Sequence, residues 1–195
     1  MTLKEGKLIS NKAEKTELPK GFSVQEMVVE DIESYIEHKR ICWMQTYPND
    51  ENGITPEDVQ NYLNLKGKEM TKANFRVLIQ SGASKIHLLK KNGIIVGDII
   101  YTVKADMAEI NEIYLQDEVK GKGLGKFLMK LALANIPKNK KVYLGVLKIN
   151  LSAIKFYERF GFKKVRKVTE QKFVKFGNHK FAEMYMVLSV ENKAE

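Results

Sequence analysis

The residues best suited to chemistry lie in the second half of this 195-residue chain. The apolar triplet Ile113-Tyr114-Leu115 is followed, after four residues, by Lys120-Gly121-Lys122-Gly123-Leu124-Gly125. Helical spacing then begins through Leu124, Phe127, Leu128, Leu131 and Ala132. Glycines let a backbone turn sharply and come close to a ligand. Unpaired N–H groups at the start of the next helix, with its positive dipole end, make an anion site. Lys120, Lys122 and Lys126 add positive charge, so the turn suits a phosphate group. It is not a Walker loop, which needs Gly-Lys-Ser/Thr, nor a dinucleotide fingerprint, which needs Gly-x-Gly-x-x-Gly and a later acidic residue. Taken alone, it fits a flexible Gly/Lys turn equally well.

A second motif stands twenty-five residues on, Asn150-Leu151-Ser152-Ala153-Ile154-Lys155-Phe156-Tyr157-Glu158-Arg159-Phe160-Gly161-Phe162. In order and spacing the pair resembles the GNAT superfamily of acyl-CoA-dependent N-acetyltransferases. That pattern is strand, Arg/Gln-x-x-Gly-x-Gly/Ala opening a helix, strand, then N-x-x-A-x-x-F-Y-x-x-x-G-F. The likeness runs from about Ile86 to Val190, with Lys120 where Arg or Gln is usual.

The resemblance implies that acetyl-CoA lies in a V between two splayed strands. Its pantetheine arm would pair with backbone groups of Ile113, Tyr114 and Leu115, and its pyrophosphate would sit over Lys120, Gly121, Lys122, Gly123, Leu124 and Gly125, near Lys126. A backbone N–H of that strand would polarise the thioester carbonyl. Asn150, Ala153 and Phe156 would complete the cofactor wall, although Asn150 also reads as a helix N-cap. Tyr157 matches the tyrosine that protonates the leaving thiolate; at helical spacing with Phe156 and Phe160 it reads as core too. A phenol of pKa about 10 needs help from its surroundings to donate to a thiolate of conjugate pKa about 8.5.

For the base, Glu109 best fits the family position, with Glu112 in reserve. Strict alternation along a strand puts the two on opposite faces. Both also read as exposed strand carboxylates or ion-pair partners. On the acceptor side, Arg40-x-x-Trp43-x-x-Thr46-Tyr47-Pro48-Asn49 resembles a stretch in a set of bacterial family members, and Trp43 and Tyr47 share a helix face. Nearby Glu30, Asp31, Glu33, Glu37, Asp50, Glu51, Glu57 and Asp58 favour a cationic amine, or simply solvate helices. His38 reads as a solvated helix residue, and His87 and His179 lack a second ligand at metal spacing. Cys42 is the only cysteine and reads as a small buried apolar residue. It lies outside the cofactor motifs, which argues against a covalent acetyl-cysteine route.

The elements that must position these residues follow from patterning. Phe22 to Val29 reads as a strand, and Glu30 to Tyr47 as an amphipathic helix closed by Pro48. Thr55-Pro56-Glu57-Asp58 starts a second helical region, with Gly67 as the place for a break, running to about Gln80. Asn92-Gly93 turns a hairpin between Ile86–Leu89 and Ile94–Val103. Ala108 to Leu115 is a strand, Gly123 to Asn135 a helix, Lys141 to Val146 a strand and Leu151 to Phe160 a helix. Val165 to Phe176 and Phe181 to Val190 read as closing strands around Gly177-Asn178. The sum is one α+β domain, a three-layer α/β GNAT-like fold over 21–190, with a polar arm over 1–20 and a tail over 191–195. Its central mixed, mostly antiparallel sheet has about seven strands, splayed in the middle and flanked by about four helices.

Charge sorts the partners. The chain carries +9, but residues 118–180 hold 17 Lys and Arg against three Glu, while residues 1–117 are net acidic. A polyanion would therefore meet the second half, and the motifs make it a nucleotide cofactor. A basic nucleic-acid-binding module would need aromatics interleaved with the lysines; instead Phe127, Phe156, Phe160 and Phe162 follow helical or core spacing. No apolar run reaches the ~18 residues of a membrane span, and the polar start to Lys20 lacks a signal-peptide core. The expectation is a cytoplasmic N-acetyltransferase that moves acetyl from acetyl-CoA to a primary amine by direct attack in a ternary complex. The amine would be a small molecule, a polyamine or a protein amino group, and no metal, nucleic acid or membrane is called for. A non-catalytic acyl-CoA sensor is the alternative on the same fold. Oligomeric state stays open, a homodimer included.

Overall fold

The structure, a computed structural model, describes residues 18–67, 71–165 and 171–189. Strand β1 (Phe22–Glu26) leads through a short 3-10 turn into α1 (Ile32–Thr46), so the first strand is shorter and the first helix starts later than the periodicity suggests. The second helical region is two helices, α2 (Pro56–Lys66) and α3 (Lys72–Ser81). Each has its own threonine cap: Thr55 Oγ1 accepts from the Asp58 N–H, and Thr71 Oγ1 from the Asn74 N–H. The hairpin forms as read, β2 (Ser84–Lys91) and β3 (Ile94–Val103), with Asn92 and Gly93 both at positive φ.

Next come β4 (Met107–Leu115), α4 (Leu124–Asn135), β5 (Lys141–Leu147) and α5 (Leu151–Glu158). The chain closes with β6 (Lys163–Lys164), β7 (Phe173–Phe176) and β8 (His179–Leu188). Among the described residues there are thus eight strands and five α-helices in one mixed, mostly antiparallel sheet. The extra strand, β6, is two exposed lysines, which carry no alternation to read. Residues 166–170 of the expected closing strand, the arm as far as 17 and the tail over 191–195 lie outside the described residues.

The sheet runs β1-β2-β3-β4-β5-β8-β6, with β7 on β8. All pairs are antiparallel except β4 with β5. On one face α1 and α3 cover Ile86, Leu88, Ile95 and Ile100 with Tyr35 and Phe75. On the other, α4 and α5 cover Ile99, Tyr101, Ala108, Ile110 and Leu144 with Leu124, Leu128 and Tyr157. The central strand β3 is therefore buried on both faces, which is why it reads as a continuous apolar run.

Two details of the sheet govern the site. The β4–β5 ladder ends at Ile110–Leu144, although both strands continue. Just there, Ile100 pairs with Glu112 and Tyr101 with Ile110, so Asn111 is the extra residue of a β-bulge. Thr102 Oγ1 donates to its amide oxygen at 2.8 Å. The bulge corrects the expectation from strict alternation: Glu109 stands opposite Thr102 and Glu112 opposite Ile100, so both carboxylates point to the same face.

Among the described residues no helix is long and apolar enough to cross a membrane. His87 is one of three side chains among the described residues with a buried polar atom left unpartnered, together with Trp43 and Asp98. It is 3% exposed, lies parallel to the Tyr101 ring at 5.8 Å, and neither ring nitrogen has a partner. Burial lowers its pKa; Glu26 opposes that shift and Lys85 adds to it. Below the unfolded pKa of about 6.5 the unfolded chain takes up a proton that the folded chain refuses, so His87 costs stability as pH falls. His87→Phe, which keeps the ring and removes two unpaired nitrogens, is expected to stabilise the fold by roughly 1–2 kcal/mol at neutral pH. Thermal denaturation should show the gain widening between pH 7.5 and pH 5.

Candidate active site

Where β4 and β5 part, a cleft of about 1100 Å³ opens toward the start of α4. Its floor holds Ile113, Tyr114 and Leu115 on one side and Gly145, Val146 and Leu147 on the other. Helix α4, like α1, has no side-chain cap, and among the described α-helices it alone starts from a glycine. Helices α2, α3 and α5 all have side-chain caps, whereas α4 begins at Gly123 with no side chain on its first N–H groups. Gly123 sits at φ +78°, a left-handed conformation that other residues adopt only with strain. The first turn of α4 thus presents bare N–H donors and a positive dipole end to the cleft. Lys120, Lys126 and Lys130 line this end together with Gly121, Gly123 and Gly125.

The second motif meets the first here. Asn150 caps α5, its Oδ1 accepting from the Ala153 N–H at 3.1 Å and from Ser152 Oγ at 3.0 Å, and it lines the cleft as well. Ala153, Phe156 and Tyr157 line it from α5. Two expected cofactor residues do not. Leu124 is 2% exposed in the core under α4, as its helical spacing requires, and Lys122 turns back to donate to the Glu118 carbonyl at 2.8 Å.

Tyr157 is 7% exposed, and burial raises its phenol pKa well above 10, with smaller contributions from Tyr47 and Glu112. The Tyr47 and Tyr114 hydroxyls meet at 3.0 Å. Trp43 stacks on Tyr62 at 5.1 Å and lies 4.6 Å from the Tyr47 ring, so the end of α1 and α2 supply an aromatic wall. Tyr62 carries no motif, and only the packing of α2 on α1 brings it to the cleft.

The two strand carboxylates have different surroundings. Glu109 lies outside the cleft, and Lys104 donates to it at 3.2 Å on the surface. Glu112 lines the cleft, with the Tyr35 hydroxyl donating at 2.6 Å and the Lys39 ammonium in direct contact. Burial works to raise its pKa, but the Lys39 charge and these hydrogen bonds win, holding it below the usual range. Behind it lies an unanticipated buried pair. His38, 1% exposed, contacts Asp98 at 3.0 Å and Gln116 at 3.2 Å, which corrects its reading as a solvated residue. Burial pushes the Asp98 carboxyl up to about 6, and its second oxygen has no partner. Cys42 is fully buried beside this pair, its thiol raised to about 12 mainly by burial.

None of the eight acidic residues from Glu30 to Asp58 lines the main cleft. Asp31 pairs with Lys90, Glu33 with Lys72, and Asp58 caps α2, while Glu51 faces a smaller adjoining cavity. Among the described residues, the carboxylates that line the main cleft are Glu112 and Glu183. Among the described residues no group of three or more His, Cys, Asp or Glu is placed to hold a metal ion.

A splayed mixed sheet with an uncapped helix start beside the splay is the arrangement that the sequence resemblance implies. The sequence matches the family described as acetyltransferase (GNAT) domain over residues 52–182, and the chain belongs to that family. Over 56 residues it is 38% identical to the spermine/spermidine N(1)-acetyltransferase of Bacillus subtilis (strain 168). That stretch covers 27% of this chain and only 37% of the relative. The fold superposes on the PaiA N-acetyltransferase of Thermoplasma acidophilum, solved in complex with coenzyme A, with a TM-score of 0.65 at 20% identity, covering 84% of this chain and 97% of that one. YncA of Salmonella typhimurium, solved with acetyl-CoA, gives 0.55 at 17% identity over 90% and 98%. These two likenesses are of fold.

The Lys39–Glu112 pair offers a direct check on the buried network. Lys39→Met strands a buried carboxylate and is expected to cost roughly 3 kcal/mol of stability by denaturant unfolding. Adding Glu112→Gln should recover at least half of it. Because the folded pKa of Glu112 is depressed, the contribution of the pair is present at neutral pH and fades as pH falls below about 4.

Proposed function

We propose that the protein is an acetyl-CoA-dependent N-acetyltransferase in which a primary amine attacks directly within a ternary complex. The observation that carries this reading is the parted β4–β5 edge beside the uncapped, glycine-led start of α4. An extended thioester arm fits an unpaired strand edge, and a pyrophosphate fits bare helix N–H groups. When bound, acetyl-CoA supplies an acyl carbon already activated by its thiol leaving group. The backbone of Ile113, Tyr114 and Leu115 orients the thioester, and one N–H there donates to its oxygen as negative charge develops. The N–H groups of Gly121, Gly123 and Gly125 hold phosphate oxygens, helped by Lys120 and Lys126. Asn150, Ala153 and Phe156 wall the arm on the α5 side.

In this reading the new N–C bond forms as the C–S bond breaks, Tyr157 gives its proton to the departing sulfur, and the proton shed by the acylated nitrogen passes through water back to the Tyr157 phenolate. A phenol raised above 10 is a weaker acid than a free thiol, so the transfer has to accompany C–S cleavage. Glu112, ion-paired to Lys39, is a poor base. The attacking ammonium loses its proton to water before attack, and Glu112 orients the amine. Glu109, outside the cleft, takes no part. The acceptor is a primary amine, a small molecule or polyamine as the name of the Bacillus subtilis relative suggests, or a protein amino group. A cytoplasmic site of action belongs to the same reading.

Release of free thiol from acetyl-CoA with a panel of primary amines tests the activity; no release with any amine would sink it. Tyr157→Phe is expected to lower kcat about 100-fold while the KM for acetyl-CoA moves less than threefold. Gly123→Ala, strained at φ +78°, should instead raise that KM about tenfold. With burial holding the Tyr157 proton on, kcat/KM should climb with pH as the amine deprotonates and not turn down below about pH 10. Glu112→Gln should leave that limb in place; a limb displaced by a full unit would make Glu112 the base.

A further inference from the structure

The cleft has a basic end and an acidic end. Lys120, which also pairs with Asp117 at 2.6 Å, and Lys126 lie at the start of α4 with Lys130 a turn further on, and the carboxylates line the cleft from β4 and β8. Of the two carboxylates, Glu112 is neutralised by Lys39. Glu183 has no cation within ion-pair distance among the described residues. We propose that Glu183 anchors a second ammonium group of the acceptor, one that stays charged at neutral pH, which makes the preferred acceptor an alkyl diamine or longer polyamine. This rests on the N-acetyltransferase reading and names the acceptor class for the same site.

The placement of Glu183 is firm. Its backbone is opposite Leu147 on β5; its N–H donates to the Lys172 carbonyl at 3.0 Å, and its own carbonyl accepts from Gln171 Nε2 at 2.7 Å. The side chain folds over Gly145, where a Cβ would lie 3.2 Å from the carboxylate oxygen Oε2. Gly145 has an ordinary φ, so the lack of a side chain there serves space rather than backbone conformation. It lets the carboxylate reach into the cleft beyond the point where β5 leaves β4.

Trp43, Tyr47 and Tyr62 line the same cleft as an aromatic cluster, Trp43 stacked on Tyr62 and Phe176 packed 5.2 Å from Tyr62, and aromatic rings attract an alkylammonium. The negative charge of Glu183 also reaches Tyr47, adding to the burial that raises its phenol to about 12. An aromatic cluster in one cleft with an uncompensated carboxylate selects a cation over a neutral amine. The attacking nitrogen must be neutral at Tyr157, so the charge held by Glu183 belongs to another nitrogen of the same molecule.

The test compares 1,4-diaminobutane, a dication at neutral pH, with butylamine. Thiol release by the wild-type chain should favour the diamine at least tenfold in kcat/KM. Glu183→Gln, an isosteric change, should reduce that ratio at least tenfold, and Glu183→Asp should retain part of it. An unchanged ratio in the glutamine variant overturns the anchor. If neither amine releases thiol, the enzymatic reading fails and calorimetric binding of 1,4-diaminobutane decides the anchor separately. Binding to wild type at least tenfold tighter than to the glutamine variant sustains it, and equal or absent binding to both removes it.

Discussion

The parting of β4 from β5 is the constraint on which the rest of the molecule depends. Parallel strands held by only four paired positions, Met107–Ile110 with Lys141–Leu144, separate while both continue as extended backbone. The bulge at Asn111 bends β4 at that point and ends the ladder. It leaves the backbone of Ile113, Tyr114 and Leu115 with an edge that no neighbouring strand satisfies on the β5 side. Backbone donors and acceptors in a cleft need partners, and an extended ligand is one natural supply. The parted strands do not collapse because β3, buried on both faces, holds β4 from its other edge, and β8 holds β5.

The same bulge decides which side chains reach the cleft. By moving Glu112 to the face shared with Glu109 it brings the Glu112 carboxylate under α1, where Lys39 and Tyr35 meet it. Its charge is then locked into a pair, with His38 and Asp98 buried behind. The charge left over in the cleft is that of Glu183 on a distant strand. The two ends of the cavity are polarised in consequence, lysines and helix N–H groups at α4 and a carboxylate at β8.

Much of the scaffold is legible in the chain itself. The hairpin at Asn92-Gly93, the Thr55 cap and the periodic apolar positions of α4 are local signals, and they form as read. Asn150 as the cap of α5 is equally local. The glycine turn and the asparagine-to-tyrosine motif meet in one cleft because each sits at the end of a strand adjoining the splay. The break between α2 and α3 is marked by Gly67, although the separate Thr71 cap is easily passed over. The two-residue β6 has no pattern to read, since pairing with β8 alone makes it a strand.

What the sequence by itself determined is the order of elements, the uncapped turn before α4 and the motif residues Asn150 and Tyr157, because caps, glycines and helical spacing act within a few residues. What only the tertiary structure decided is the acceptor side. Tyr62, Glu183 and Gly145 come from three separate elements and belong to no motif. His38 looks like any polar helix residue until Asp98 is packed against it from β3. The faces of Glu109 and Glu112 depend on one inserted residue in a ladder, and register is a property of two strands together, which a single strand's pattern does not contain.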